Sequence, residues 1–175
     1  MKAFHVCAQI DDDLYDYLEF LERTQYVKNK NEILEKALIL YKKLSAHDWL
    51  PDIYRMGESR VVIIERGMLL DLFDSLKEQE IYKAGSMTAL KRKVLKPELK
   101  SINLTKDANW RLVTDELQNM GWGSFKRNGA EIRVENAAVP AQYLKGYLET
   151  MFKVGLGEQL TDVKDHIIFK VTEPK

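Results

Sequence analysis

Residues 4–18 read FHVCAQIDDDLYDYL, an alternating segment, three acids and the start of a helical apolar repeat. Phe4, Val6, Ala8 and Ile10 share one face by strand periodicity, and His5, Cys7 and Gln9 share the other. Asp11 stands where a helix N-cap belongs, and Asp12 and Asp13 fall in the first turn, where negative charge suits the helix dipole. Ile10 is placed to staple onto Tyr15. Leu14, Leu18 and Leu21, with Tyr17, then mark one stripe of a helix ending near Thr24. The strand over residues 3–10 has no partner within the next forty residues. A lone strand leaves its backbone groups unsatisfied, so its partner must come from elsewhere.

The stretch YVKNKNEILEKALILYKKL (26–44) restarts the helical pattern. Asn29 is positioned to cap it, and Glu32 to reach back in a capping box. Ile33, Leu34, Ala37, Leu38 and Tyr41 form its apolar stripe. One strand and two helices in about 44 residues bury too little surface to stand alone. Two copies whose strands pair antiparallel across a two-fold axis solve both problems at once.

Over residues 3–44 the sequence resembles the ribbon-helix-helix family of DNA-binding proteins, through QIDDDLYDYL and KNKNEILEKAL. The resemblance implies an intertwined dimer whose two-stranded ribbon enters the major groove of double-stranded operator DNA. By position, the outward side chains that read bases are His5, Cys7 and Gln9; an amide such as Gln9 pairs bidentately with adenine. Lys28, Asn29, Lys30 and Asn31, at the N-terminus of the second helix, correspond to the phosphate grip. Residues 1–44 carry seven basic and eight acidic side chains, a formal charge of −1. Such a balance supplies little counterion-release affinity and keeps open an alternative: an interaction protein or antitoxin that uses the module only for dimerisation.

Residues 45–58, SAHDWLPDIYRMGE, form a connector broken by Pro51, with Gly57 before a new strand. Trp49, Ile53, Tyr54 and Met56 are too apolar for a free tether, and the connector is expected to pack on the second domain.

That domain, residues 59–175, reads as α+β with a largely antiparallel sheet packed on helices. The apolar run over residues 61–64 predicts a buried strand; Met68, Leu69, Leu72, Phe73 and Leu76 line the following helix. IYKAGSMTALKRKVL predicts more helix interrupted by Gly85, and DANWRLVTDELQNM a helix stopped by Gly121. Asn128-Gly129 signals a hairpin. A helix opens near Pro140 with Tyr143, Leu144, Tyr147, Leu148, Met151 and Phe152 on its stripe, and a strand pair surrounds Asp165.

Residues 59–172 resemble the 4-vinyl reductase-like domain, a small-molecule-binding module. The resemblance rests on YLKGYLETMFKVGLGEQLTDVKDHIIFKV, with Gly146 in the helix and Gly155 and Gly157 in the turn after it, together with RVVIIERGMLLDLF and GWG. It implies a ligand cavity lined by Trp110, Trp122, Tyr143 and Tyr147, with Met151 beside them, suited to a hydrophobic or aromatic molecule. Relatives carry cysteines near the last two strands, and this sequence has none there, so neither metal nor redox sensing is expected.

With 27 basic and 27 acidic residues, the chain's net charge gives no push toward nucleic acid, and its single cysteine excludes an internal disulfide framework. No apolar run approaches a membrane span and no signal core opens the chain, so a cytoplasmic protein is expected. His5, His47 and His166 show no metal-ligand spacing, and no catalytic constellation or cofactor motif appears, so no enzyme is expected. Asp115, Glu116 and Glu149 read as solvated helix faces, and His166 as a surface or hydrogen-bonded histidine. The stretch 83–100 holds six lysines or arginines against one glutamate and reads as a solvated face or a source of phosphate contacts. The reading is a transcriptional regulator, a homodimer or higher even oligomer, that couples a small molecule to DNA.

Overall fold

The fold comes from a computed structural model, which describes residues 7–44, 46, 49–51, 53–56, 59–96, 99, 101–159 and 161–174. The chain divides into two compact units, Met1–Val61 and Val62–Lys175. Helices and antiparallel sheets are both present, in line with the mixed class expected.

In the first unit, α1 (Asp12–Arg23) starts where the acids stand: Asp11 Oδ1 accepts from the Leu14 amide at 2.8 Å, and Asp12 and Asp13 occupy the first turn. Replacing Asp11 with alanine leaves that amide without a side-chain partner. We expect Asp11→Ala to cost about 1 kcal/mol, read as a lower urea midpoint for the first unit. Helix α2 (Lys30–Lys43) is capped by Asn29, whose Oδ1 accepts from the Glu32 amide at 3.0 Å. Glu32 does reach back, but to the Lys28 amide at 2.8 Å, one residue before the cap. The capping box is thus displaced by one position, with the same carboxylate held by Lys36 at 2.7 Å.

No residue of α1 or α2 is buried. Leu14, Tyr15, Tyr17, Phe20, Leu34, Leu38 and Tyr41 remain exposed, and Leu18, Leu21 and Ile33 are only half-buried, so the helix pair has no core of its own. Cys7, Ala8, Gln9 and Ile10 take part in no strand among the described residues. The rest of the expected strand, His5 included, lies outside the described residues, as does His47.

The connector is a structured hairpin. Strands β1 (Tyr54–Met56) and β2 (Ser59–Val61) pair antiparallel. The Trp49 ring lies 4.5 Å from that of Tyr54, and its Nε1–H donates to the Arg55 carbonyl at 2.8 Å. The strand predicted over residues 61–64 therefore stops early: it ends at Val61, and Val62 and Ile63 are 79% and 70% exposed. Periodicity reports only that the run is apolar. Beyond Val61, which pairs with Tyr54, no partner strand among the described residues lies beside residues 62–64, so they are neither paired nor buried.

The second unit opens with α3 (Arg66–Asp74), which buries Phe73 and partly buries Leu69, whereas Met68 and Leu72, and Leu76 just beyond the helix, are exposed. Only part of the predicted stripe thus faces the core. Helix α4 (Glu78–Leu95) runs unbroken through Gly85. A 3-10 turn at Asp107–Asn109 leads into α5 (Trp110–Asn119). Then come β3 (Ser124–Asn128), β4 (Glu131–Glu135), α6 (Ala141–Phe152), β5 (Val154–Gln159) and β6 (Ile167–Pro174). The sheet order is β3-β4-β6-β5, antiparallel throughout.

The first hairpin turns at Gly129-Ala130, since Asn128 still pairs with Glu131. Gly129, at φ +58°, supplies the left-handed first turn residue. Gly155 and Gly157, expected in a turn, belong to β5, where Val154 and Leu156 alternate with them and face inward. Beneath the sheet, Ile132, Val134, Ile167 and Phe169 meet Val113, Leu117, Leu144, Leu148, Met151 and Phe152 in one core.

Gly85 gives no break because it is a contact point. A Cβ there would sit 2.1 Å from the Tyr143 carbonyl oxygen, and one on Gly146 would sit 2.1 Å from that of Tyr82. The backbones of α4 and α6 therefore touch at reciprocal glycines.

Glu149, expected to be solvated, is buried: it accepts from Tyr82 Oη at 2.6 Å and from the Leu156 amide at 2.8 Å, tying α4, α6 and β5 together. Glu116 is also largely inward, whereas Asp115 is exposed and pairs with Arg111 at 3.2 Å. No described helix is long and apolar enough to cross a membrane.

Candidate functional site

In the first unit, the DNA-facing residues expected from sequence fall into two groups. Cys7 and Gln9 are exposed, with Cys7 a free thiol. At the second group, Lys28, Asn29 and Asn31 are exposed around the start of α2. Asn29 spends its side-chain oxygen on the cap. Lys30 is engaged within the unit: its Nζ donates to Glu19 at 3.0 Å and to Tyr15 Oη at 3.1 Å, and lies 4.2 Å above the Tyr15 ring. The hydrogen bond to Tyr15 and the one to Glu19 raise the Lys30 pKa, and Lys30 in turn lowers that of Glu19. Lys30 thus cross-links α1 and α2, whereas Lys28 is exposed beside the helix end.

In the second unit the structure gathers three of the five expected ligand residues. The Trp122 ring lies 5.5 Å from Tyr143 and 5.4 Å from Tyr147, and the Phe73 ring lies 5.2 Å from Tyr143. Helix α6 presents the two tyrosines one turn apart, and the turn over residues 121–123 after α5 delivers the tryptophan. Met151, one turn further on, is fully buried in the core. Trp110 is set apart: it stacks on Phe152 at 4.5 Å and its Nε1–H donates to the Leu104 carbonyl at 2.9 Å. With Arg127 5.0 Å above its ring, Trp110 instead lines a groove of about 540 Å³ between α5 and β3.

Polar groups converge on the aromatic cluster. Tyr143 Oη donates to Thr88 Oγ1 at 2.9 Å. Tyr147 is fully buried, and its hydroxyl has no hydrogen-bond partner among the described residues. Burial pushes its pKa up to about 12, against the pull of the nearby Arg92 charge, so it stays a neutral donor at physiological pH. Burial raises Tyr143 as well, offset by Thr88 and by Arg92.

Arg92 was not legible as a site residue, because it falls in the basic stretch read as solvated. Its side chain is only 16% exposed; Nη2 pairs with Glu116 at 2.5 Å and Nη1 donates to Met120 Sδ at 3.4 Å. Its buried Nε has no partner among the described residues. Lys93, next to it, turns inward to the Thr150 carbonyl at 2.6 Å, and burial lowers its pKa. A signal did exist: Ile81, Gly85, Thr88 and Arg92 follow helical spacing along one face, the face the small residues mark as buried.

Among the described residues no group of three histidine, cysteine or acidic side chains is placed to hold a metal. His166 Nδ1 lies 3.1 Å from the Lys164 carbonyl, a local hydrogen bond.

No protein-family model matches the chain, and neither a curated protein nor a solved structure is significantly similar to it.

Proposed function

We propose that the protein is a cytoplasmic, dimeric DNA-binding transcriptional regulator, with a ribbon-helix-helix module in the first unit and a ligand-sensing second unit of the 4-vinyl reductase-like kind. The observation that carries the reading is a helix pair with side-chain caps at both starts and no buried residue. Capped, amphipathic and coreless helices are what remains of an intertwined dimer when one subunit is viewed alone. The aromatic cluster with its partnerless buried donors supports a sensor in the second unit.

The test is a titration against genomic fragments at two salt concentrations. We expect Gln9→Ala to cost about 1–3 kcal/mol on a specific operator and little on random DNA, because an amide reads base edges. Lys28→Ala should weaken both alike and reduce the salt dependence. A second reading, dimerisation without DNA, is favoured by the engagement of Lys30 with Glu19 and Tyr15. Absence of any preferred fragment at low salt selects it.

A further inference from the structure

The groove between α5 and β3 measures about 540 Å³, the size of a small-molecule site. Its floor is apolar: Trp110 and Ile132 reach it while only 4% and 2% exposed, with Phe125 half-buried beside them. Trp110 is the middle rung of a ladder. The Phe152 ring stacks on it at 4.5 Å and 9°, so the Arg127 guanidinium, 5.0 Å above the indole, takes the opposite face. Three acceptors hold that guanidinium: the Gly129 and Asp107 carbonyls, each at 2.9 Å, and the Asp107 carboxylate. Arg127 itself lines the groove. A guanidinium fixed in this way offers its other face as a platform for a second flat ring.

Two polar groups give the groove an edge to read. Thr114 and Gln118 lie one turn apart on α5, and both line it. Gln118 Oε1 accepts from the Phe125 amide at 3.1 Å, which sets the orientation of the carboxamide. Its Nε2 protons are left as donors with no partner among the described residues. Thr114 Oγ1 donates to the Trp110 and Arg111 carbonyls, at 3.3 and 3.2 Å, and accepts from no described residue. A donor and an acceptor thus stand side by side. The cations of the groove are all paired: Arg127 with Asp107, Arg111 with Asp115 at 3.2 Å and Lys126 with Glu135 at 2.7 Å. An anion would have to compete with those carboxylates, whereas a neutral ring leaves every pair intact.

We propose that this groove binds a neutral nucleobase, stacked on the Arg127 guanidinium, with an acceptor of its edge on the Gln118 amide and a neighbouring donor on Thr114 Oγ1. Nucleobases carry an adjacent donor and acceptor in the plane of a stacking ring, which is the combination these three side chains present. The site uses no residue of the Trp122–Tyr143–Tyr147 cluster, so it goes beyond the sensor reading given above and is tested apart from it.

The experiment is equilibrium dialysis of the full chain against adenine, hypoxanthine and uracil. Two controls accompany them: 1,3,7-trimethylxanthine, equally flat but without an N–H donor, and orotate, a uracil that carries a carboxylate. At least one base should be retained, about tenfold more tightly than either control. Thr114→Val keeps the shape without the acceptor and should weaken that base about three- to tenfold. Arg127→Lys keeps the charge without the plane and should weaken it at least as much, with near-UV circular dichroism reporting an intact fold for each variant. If no base is retained, or if orotate binds better than uracil, the proposal falls. Affinity unchanged in both variants overturns the groove as the site. Affinity lost in Tyr147→Phe but kept in Thr114→Val overturns it as well and places the ligand at the aromatic cluster.

Discussion

Alanine at Gly146 forces apart the two helices at the centre of the second unit and lowers its stability by about 3 kcal/mol. The added Cβ would lie 2.1 Å from the Tyr82 carbonyl oxygen and 3.1 Å from Ser86 Oγ, which itself donates to the Gly146 carbonyl at 3.2 Å. The obstructing atom belongs to the backbone of α4, so no rotamer change relieves it. Opposing this, alanine gains about 1 kcal/mol over glycine in helix propensity, too little to offset the clash. Gly85→Ala meets the Tyr143 carbonyl at the same 2.1 Å and should cost as much. Because both contacts serve one helix crossing, the double variant should lose less than the summed losses. Tyr143 and Tyr147 ride on the displaced helix, so any ligand response should go with the stability. The control is Gly67→Ala, whose Cβ would meet only the flexible end of Glu65 at 3.3 Å. Denaturant unfolding of the three variants checks the point: if Gly146→Ala melts like Gly67→Ala, the close approach of α4 and α6 is refuted.

A charge on the apolar stripe of α2 should dissolve the proposed dimer. Leu34 and Leu38 stay 42% and 59% exposed on the helix. Burying a fully exposed leucine contributes about 1.5–3 kcal/mol, and the exposed parts of Leu34 and Leu38 together amount to about one such side chain, so Leu34→Asp with Leu38→Asp removes roughly 1.5–3 kcal/mol per subunit, before the cost of hiding two carboxylates. We expect the dissociation constant to rise by at least about a thousandfold and the first unit to unfold, since no core remains to hold it. Removing residues 1–10 should act the same way by taking away the ribbon. Sedimentation equilibrium alongside far-UV circular dichroism reads both effects. A wild-type chain that is a folded monomer at micromolar concentration ends the ribbon-helix-helix reading.

Where a feature depends on neighbours in the chain, it could be read directly. Asp11 and Asn29 cap α1 and α2 because a side-chain oxygen reaches an amide three residues on, which spacing alone sets. The β3–β4 hairpin and the helix opening at Pro140 are local in the same sense. The gathering of Trp122, Tyr143 and Tyr147 was expected only through the family resemblance, not from the spacing of these residues.

What involved distant partners was decided by packing. Residues 62–64 look like part of a buried strand, yet burial requires a neighbour that no described residue supplies. Gly85 reads as a helix breaker until α6 is laid against it, because a missing side chain costs a lone helix and admits a close one. Glu149 and Arg92 carry charges that composition assigns to solvent. The burial of Glu149 rests on Tyr82, 67 positions away, and on the Leu156 amide; that of Arg92 rests on Glu116 of another helix. Trp110 resembles a ligand residue because it is large and aromatic, and only its stacking on Phe152 makes it core. Local hydrogen bonds and periodicity are written along the chain. The environment that buries, pairs or orphans a side chain is supplied by residues far from it in sequence.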